Sequence, residues 1–294
     1  MRAAVGGGPY MHLLECQEMI VTMPYFQYSD DIRLYYEEHG DPKGKHVVTF
    51  LNGVMASAAS WAWLWPVFER AQFRCVALDF KGQLRSSKPA GPYTFAQHSE
   101  ETKALLEHLG VTKTHLIGTS YGGEVAMKMA ILYPDLVESI SLIDSVSELD
   151  PVLRGFVLGW KTLCDTGDGE TFFWGMAPSI YGPEFLEKHH DMLSARAKAI
   201  KDDPMGYLEG QKILYDAFAD DVYMTDQLHL IRCPALILCG ENDILKPPKF
   251  SKILETNIPD AEYITLPDSG HVAIFERPRE LESAIFGFIM KHII

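Results

Sequence analysis

Short apolar segments alternate with longer segments of helical periodicity along most of the chain. The apolar segments are HVVTFL (46–51), FRCVALDF (73–80), HLIGTS (115–120), SISLID (139–144) and PALILCG (234–240). Their nearly continuous apolar character is typical of strands that are buried on both faces of a parallel sheet. Intervening segments such as AQHSEETKALLEHLG place apolar residues on one side of a helix. The alternation predicts right-handed βαβ crossovers and an α/β fold with a doubly wound, mostly parallel sheet.

Three parts of the chain depart from this alternation and define the predicted organisation. Residues 25–40 alternate apolar and polar positions, which predicts a β-hairpin with one solvated face. Residues 147–226 contain aromatic-rich helical segments without a convincing parallel strand, so we expect an inserted helical cap. Residues 1–22 have no clear period and are expected to form a flexible leader. The core of the fold would then have two parts, 23–146 and 227–294.

Composition and charge narrow the class of protein. With 47% hydrophobic and 22% charged residues in 294, the chain has an ordinary globular composition, which excludes disorder. The net charge of −14 repels phosphate backbones and anionic lipid surfaces, so we expect neither a nucleic acid nor a membrane as partner. The five cysteines are odd in number and form no C-x-x-C pair, which favours reduced thiols and a cytoplasmic protein. Homo-oligomerisation is left open.

A glycine-flanked serine is the strongest candidate for a reactive group. The pentapeptide GTSYG (118–122) lies between an apolar strand and a helical segment, so Ser120 is expected at a strand-to-helix turn. At such a turn the serine Oγ projects above the sheet, and the glycines allow strand and helix to approach closely. Because a serine hydroxyl is a weak nucleophile, this interpretation requires a base and a group that orients the base.

The sequence provides candidates for both groups after predicted strands. His271 lies on a loop that follows the segment AEYITL, and it is the predicted base. Asp243 lies just beyond PALILCG and is the predicted acid. Asp144, at the end of SISLID, is the alternative acid, because it would lie on the same edge of the sheet.

Two backbone amides are the candidates for an oxyanion hole. A tetrahedral intermediate requires preorganised N–H donors, commonly one after the nucleophile and one after an earlier strand. Tyr121 and Val54 occupy these places, and Gly53 permits the tight turn that would direct the Val54 amide inward. The sequence contains neither an H-E-x-x-H motif nor a carboxylate-rich cluster, so no metal and no cofactor are expected.

These motifs together resemble the α/β-hydrolase superfamily from about residue 25 to residue 294, apart from the cap. GTSYGG (118–123) is similar to its nucleophile elbow, DSGH (268–271) to its histidine loop, and DFKGQLRSSKP (79–89) to its D-x-R-G-x-G-x-S loop. The elbow and the chain length are most similar to the branch of 3-oxoadipate enol-lactonases, small carboxylesterases and acyl-homoserine lactone hydrolases. The chain departs from the pattern at Asn52, where the family has histidine, and at Leu84, where it has glycine.

The resemblance implies a serine hydrolase that cleaves a carboxylic ester or lactone through an acyl-enzyme, with water as second substrate. A C–C bond hydrolase or acyltransferase on the same triad is an alternative, and a hydrolase-like receptor for a small ligand is another. The aromatic cap favours an apolar pocket and a medium-chain or aromatic substrate. Arg85, Lys88 and Lys246 are the candidates for a local positive charge near the predicted edge.

Overall fold

Eight strands form a single sheet in the computed structural model, which describes residues 24–293. The strands are β1 (Tyr25–Gln27), β2 (Arg33–Gly40), β3 (Val47–Leu51), β4 (Arg74–Leu78), β5 (Thr114–Thr119), β6 (Val137–Ile143), β7 (Ala235–Gly240) and β8 (Ala261–Leu266). Their order is β1-β2-β4-β3-β5-β6-β7-β8. The β1–β2 and β2–β4 pairs are antiparallel and all other pairs are parallel. The predicted α/β fold class is confirmed, whereas the predicted leader lies outside the described residues.

Helices connect the strands and fill the segment between β6 and β7. They are α1 (Trp65–Arg70), α2 (Phe95–His108), α3 (Tyr121–Leu132), α4 (Pro151–Cys164), α5 (Gly169–Ile180), α6 (Pro183–Lys188), α7 (His190–Ala199), α8 (Tyr207–Asp221), α9 (Pro248–Asn257), α10 (Ala273–Glu276) and α11 (Pro278–Lys291). Helices α4 to α8 occupy most of residues 147–226, which we call the cap segment. That this segment is a separate unit stays a prediction.

The central strands of the sheet are buried on both faces, which explains their continuous apolar character. In β5 the side chain of Leu116 packs into the apolar layer that includes α2 and α3, and that of Ile117 packs into the layer beneath α1 and α11. Phe50 of β3 joins the second layer and Leu51 the first. Because successive side chains of a strand point to opposite faces, a strand covered on both sides favours apolar residues at consecutive positions.

The helices and the cysteines can each be compared with what the sequence predicts about membranes and disulfides. None of the helices within residues 24–293 is long and apolar enough to cross a membrane. Cys75, Cys164, Cys233 and Cys239 are free thiols, and Cys16 lies outside the described residues.

Helix α3 approaches β3 so closely that a side chain at the contact is excluded. An ideal Cβ built on Gly122 would lie 2.0 Å from the carbonyl oxygen of Leu51 and 2.8 Å from that of Asn52. These obstacles are backbone atoms, which cannot rotate away as the end of a side chain would. The absence of a side chain at residue 122 therefore sets the distance between the strand and the helix that flank Ser120.

We expect Gly122→Ala to lower the free energy of unfolding by about 3 kcal/mol, because the helix must move away from β3. Gly159→Ala is the matched control, since Gly159 is an exposed glycine of α4 with no neighbouring atom within 4 Å of its ideal Cβ. The control should gain about 0.5–1 kcal/mol from higher helix propensity. Urea denaturation of both variants measures the difference, and equal stabilities would contradict the close-approach argument.

Candidate active site

Ser120 occupies a strained turn between β5 and α3. Its backbone has φ 50° and ψ −118°, a conformation that costs a residue with a side chain about 1–3 kcal/mol. The surrounding backbone holds this turn in place. The Ser120 amide donates to the carbonyl of Ile143 (2.8 Å), and the Ser120 carbonyl accepts from the amide of Gly123 (2.8 Å) and from Ser145 Oγ (3.2 Å). The turn leaves the Ser120 side chain half-buried at the carboxyl edge of the sheet.

The structure brings the three predicted side chains together in a continuous hydrogen-bonded chain. His271 Nδ1 donates to Asp243 Oδ2 (2.8 Å), because a carboxylate can only accept. In the neutral imidazole the second nitrogen is then an acceptor, and His271 Nε2 lies 3.0 Å from Ser120 Oγ. The other Asp243 oxygen accepts from the amides of Leu245 and Lys246, both at 2.8 Å. His271 and Asp243 are buried, so water competes little for these bonds.

Asp144, the alternative acid, lies beside this chain but bonds elsewhere. Its carboxylate accepts from the backbone amides of Gly240 (2.9 Å) and Ala273 (3.3 Å). Burial and the neighbouring charge of Asp243 raise the pKa of Asp144 well above its ordinary value. Although ligating atoms of Asp144, Asp243 and His271 lie within 4.8 Å of one another, the hydrogen bond to the imidazole comes from Asp243.

The two candidate oxyanion donors border the same space as Ser120. The ideal Cβ of Gly53 would lie 3.5 Å from Ser120 Cβ, so the loop after β3 passes directly against the serine. Val54 and Tyr121 both line the pocket above Ser120. Within residues 24–293, neither backbone amide donates a hydrogen bond. Two free N–H groups beside a serine hydroxyl can bind a developing oxyanion.

Asn52 is buried in a hydrogen-bond network that supports the Val54 loop. Its Oδ1 accepts from Trp61 Nε1 (2.8 Å), and its Nδ2 donates to the carbonyl of Leu78 (2.7 Å). The substitution of asparagine for the family's histidine therefore leaves no unpaired group at this position. Gln83, a residue that the sequence analysis missed, donates from Nε2 to the carbonyls of Gly53 (2.8 Å) and Val54 (3.3 Å). Its position within the D-x-R-G-x-G-x-S-like loop was the available signal.

Comparison with known proteins identifies the family. A family model described as the alpha/beta hydrolase fold matches residues 46–278. The chain belongs to the α/β-hydrolase fold family. The resemblance seen in the sequence is thereby confirmed. Because the family model and the relatives described next are those of hydrolases, the protein is a hydrolase.

Individual relatives of this α/β-hydrolase cover nearly its whole length. A putative carbamate hydrolase of Caulobacter vibrioides is 26% identical over 268 residues, which cover 87% of this chain and 95% of the relative. The crystal structure of an α/β-hydrolase enzyme from a Medee basin deep-sea metagenome library has a TM-score of 0.85 and 29% identity, covering 91% of this chain and 97% of its own. An enol-lactonase from Burkholderia xenovorans has a TM-score of 0.81 and 20% identity, covering 91% and 100%.

The pocket of the α/β-hydrolase above Ser120 is mostly apolar. The empty space between its walls and at its open mouth amounts to about 760 Å³. The cap segment supplies much of the lining, namely Leu153, Val157, Trp160, Ile180, Tyr181, Tyr215 and Phe218. Other cap aromatics, including Phe172 and Phe173, are fully buried in the core instead.

The basic residues predicted near the edge are engaged with protein groups. Arg85 Nη1 lies 3.1 Å from Glu37 Oε1. Lys246 Nζ lies 3.0 and 3.1 Å from the two carboxylate oxygens of Glu124 and is buried in the pocket wall. Lys88 Nζ donates to the carbonyl of Leu84 (2.7 Å), the residue in place of the family's glycine. None of these three cations is therefore available to a substrate without breaking an existing contact.

Arg196 is a pocket cation that the sequence analysis did not find. This residue of α7 lines the pocket, and its guanidinium donates to Tyr181 Oη (3.3 Å) and to the carbonyl of Met55 (3.2 Å). Both acceptors are neutral, and no carboxylate among residues 24–293 pairs with it. Nothing in the local sequence around Arg196 distinguishes it from other helical arginines, because its role depends on how α7 folds over the sheet.

We expect the imidazole proton on Nδ1 of His271 to give a low-field proton resonance that Asp243→Asn removes. The amides of Leu245 and Lys246 would hold the asparagine oxygen, so its NH₂ would face the imidazole and favour the other tautomer. Asp144→Asn, the matched control, should keep the resonance, because Asp144 bonds to the backbone. Nuclear magnetic resonance spectra of the three proteins provide the test. A resonance lost only in Asp144→Asn would identify Asp144 as the partner of the imidazole.

Proposed function

We propose that this hydrolase cleaves a carboxylic ester or lactone by two-step acyl transfer. The observation that carries the proposal is the position of His271, whose two ring nitrogens lie within hydrogen-bond distance of Ser120 Oγ and Asp243 Oδ2. A base in this position activates the serine, and a carboxylate behind the base orients it.

In the first step His271 Nε2 takes the proton of Ser120 Oγ as the oxygen attacks the substrate carbonyl. The negative charge then develops on the former carbonyl oxygen, where the amides of Val54 and Tyr121 stabilise it. Collapse of the tetrahedral intermediate breaks the bond to the leaving alkoxide, which receives its proton from the imidazolium. The Asp243 side chain stabilises the imidazolium throughout.

In the second step water replaces the alcohol as the group beside His271. The imidazole takes a proton from the water as its oxygen attacks the acyl-enzyme carbonyl. A second tetrahedral intermediate then expels Ser120 Oγ, which recovers its proton from His271. The products are a carboxylic acid and a free enzyme, and for a lactone the alcohol and acid belong to one molecule.

The lining of the pocket and the names of the relatives support this substrate class. The apolar cap residues favour a medium-chain or aromatic acyl or alkoxy group, because burial of apolar surface contributes about 25 cal/mol per Å². The relatives named as a putative carbamate hydrolase and an enol-lactonase both have names that specify carbonyl substrates. A cytoplasmic location stays a prediction.

Ser120→Ala should reduce the turnover of short p-nitrophenyl esters by about 10⁴-fold or more and abolish labelling by a fluorophosphonate. Ser147→Ala is the control, because the Ser147 hydroxyl bonds to Thr225 and takes no part in the proposed mechanism. Turnover assays and peptide mapping of the labelled residue provide the measurements. Undiminished turnover in Ser120→Ala would refute the mechanism. Activity on β-diketones or thioesters with poor ester turnover would instead favour the C–C hydrolase or acyltransferase alternative.

Arg196→Gln should lower kcat/KM by about 10- to 150-fold for an ester that carries one carboxylate, relative to its neutral analogue. A hydrogen bond to a charged group contributes about 1.5–3 kcal/mol, which corresponds to this range of effect. Arg154→Gln is the matched control, since Arg154 is exposed on α4 and donates to Tyr223. Paired kinetics on both substrates separate the charge effect from a general loss of structure. Equal losses on the two substrates would show that Arg196 does not contact the substrate carboxylate.

A further inference from the structure

Two histidines and a glutamate meet at the edge of the sheet opposite to Ser120. His46 immediately precedes β3, His115 is the second residue of β5, and Glu138 is the second residue of β6. One ligating atom from each lies within 4.8 Å of the others. Since these positions are at the amino ends of parallel strands, the group is separate from the candidate active site at the carboxyl ends. The mechanism proposed above uses none of the three.

The pairing of β3 with β5 places the two histidines on one face. Val48 pairs with His115 in the parallel ladder. His46 precedes Val48 by two residues, and side chains two apart in an extended segment point to the same face. The two imidazoles are therefore brought to one side of the sheet by register.

A bulge in the next ladder brings the glutamate to the same place. Thr114 pairs with Val137, but the following residue His115 pairs with Ser139, which leaves Glu138 as an extra residue. Bulges of this kind redirect a side chain. Here Glu138 Oε2 comes to lie 3.5 Å from His115 Nε2.

His115 has the arrangement of a metal-ligating imidazole. Its Nδ1 lies 2.8 Å from Ser139 Oγ, and when Nδ1 carries the proton this bond fixes the ring and leaves a lone pair on Nε2. The side chain is 1% exposed, and Nε2 has no hydrogen-bond partner within residues 24–293. A buried nitrogen without a partner is unfavourable unless something binds it.

We propose that His46, His115 and Glu138 bind a divalent transition-metal ion of the zinc class. Two imidazole nitrogens and one carboxylate suit Zn²⁺, whereas Mg²⁺ and Ca²⁺ prefer oxygen ligands alone. Tetrahedral ligands at about 2.0–2.2 Å from Zn²⁺ are about 3.4 Å apart. The 3.5 Å separation of His115 Nε2 and Glu138 Oε2 matches this spacing. His46 offers a ring nitrogen within 4.8 Å of the ligating atoms of His115 and Glu138, and water would take the fourth position.

A metal ion at this place would join three central strands at their amino ends. The strand register and the bulge bring the three side chains together only in the folded state, so the metal ion binds that state. Binding to the folded state alone stabilises it by mass action. The role that follows is stabilisation of the sheet, and it is independent of ester cleavage.

Titration of the metal-free protein with Zn²⁺ alone, by calorimetry and by thermal unfolding, tests the proposal. The unmodified chain should bind one Zn²⁺ at this site and gain about 5 °C or more in Tm when Zn²⁺ is at 100 times Kd. Glu138→Gln and His46→Gln should bind Zn²⁺ at least about tenfold more weakly and lose the rise in Tm. Both residues are half-buried, so their metal-free variants should unfold near the temperature of the unmodified protein.

The control variant His271→Asn separates this site from the candidate active site. Asp144, Asp243 and His271 also have ligating atoms within 4.8 Å of one another, so Zn²⁺ could bind there. The proposed site should retain its Zn²⁺ affinity in His271→Asn. Loss of binding in His271→Asn but not in Glu138→Gln, or no Zn²⁺ binding to the unmodified protein, would overturn the proposal. Neither readout involves ester turnover, so the result is independent of the proposed function.

Discussion

The contact between the backbones of α3 and β3 is the constraint on which the candidate active site depends. Gly122 meets the Leu51 carbonyl where a Cβ would lie only 2.0 Å away, and a Cβ on Gly118 would lie 2.4 Å from the Gly122 carbonyl oxygen. With the helix held so close to the strands, the chain must turn within one residue. Ser120 makes this turn at φ 50°, and its hydroxyl is consequently lifted above the carboxyl edge of the sheet. The loops after β3, β7 and β8 bring Val54, Asp243 and His271 to that point.

The position of the imidazole depends on the cap segment as well as on the sheet. The His271 amide donates to the carbonyl of Ile180 at the end of α5 (2.9 Å). The carboxylate of Glu276 accepts from the amides of Gly182 (3.0 Å) and Gly270 (2.8 Å), so it joins the cap segment to the histidine loop. Burial raises the pKa of Glu276, although these two amides and His271 act against the shift. Because the cap segment also lines the pocket, substrate contacts and placement of the base are structurally coupled.

The local sequence was sufficient to predict the strands and the position of Ser120. Burial on both faces produces a continuous apolar segment, and the sharp turn requires glycines next to the serine. The sequence predicts Asp243 as the acid and keeps Asp144 as the alternative, because both follow strands on one edge and only the path of the loop decides which carboxylate meets the imidazole. Gln83 and Arg196 were missed because their partners are distant in sequence. The contact of Arg196 with the Met55 carbonyl depends on how α7 packs over the sheet, and helical periodicity in the sequence does not predict this packing.

The charges in the pocket wall bear on the substrate class proposed above. Glu124 is fully buried, which raises its pKa, and the attraction of Lys246 opposes this shift, so the two form a pair of no net charge between α3 and the Asp243 loop. Among the pocket side chains that the structure describes, Arg196 is then the cation without a carboxylate partner. One carboxylate on a substrate could pair with it. A second carboxylate on the substrate would meet an apolar lining, where burial of an unpaired charge is strongly unfavourable. The net charge of −14 of the protein would repel it as well. The pocket wall thus supports a neutral or singly charged ester or lactone, and not a dianion, as the substrate in the proposed function.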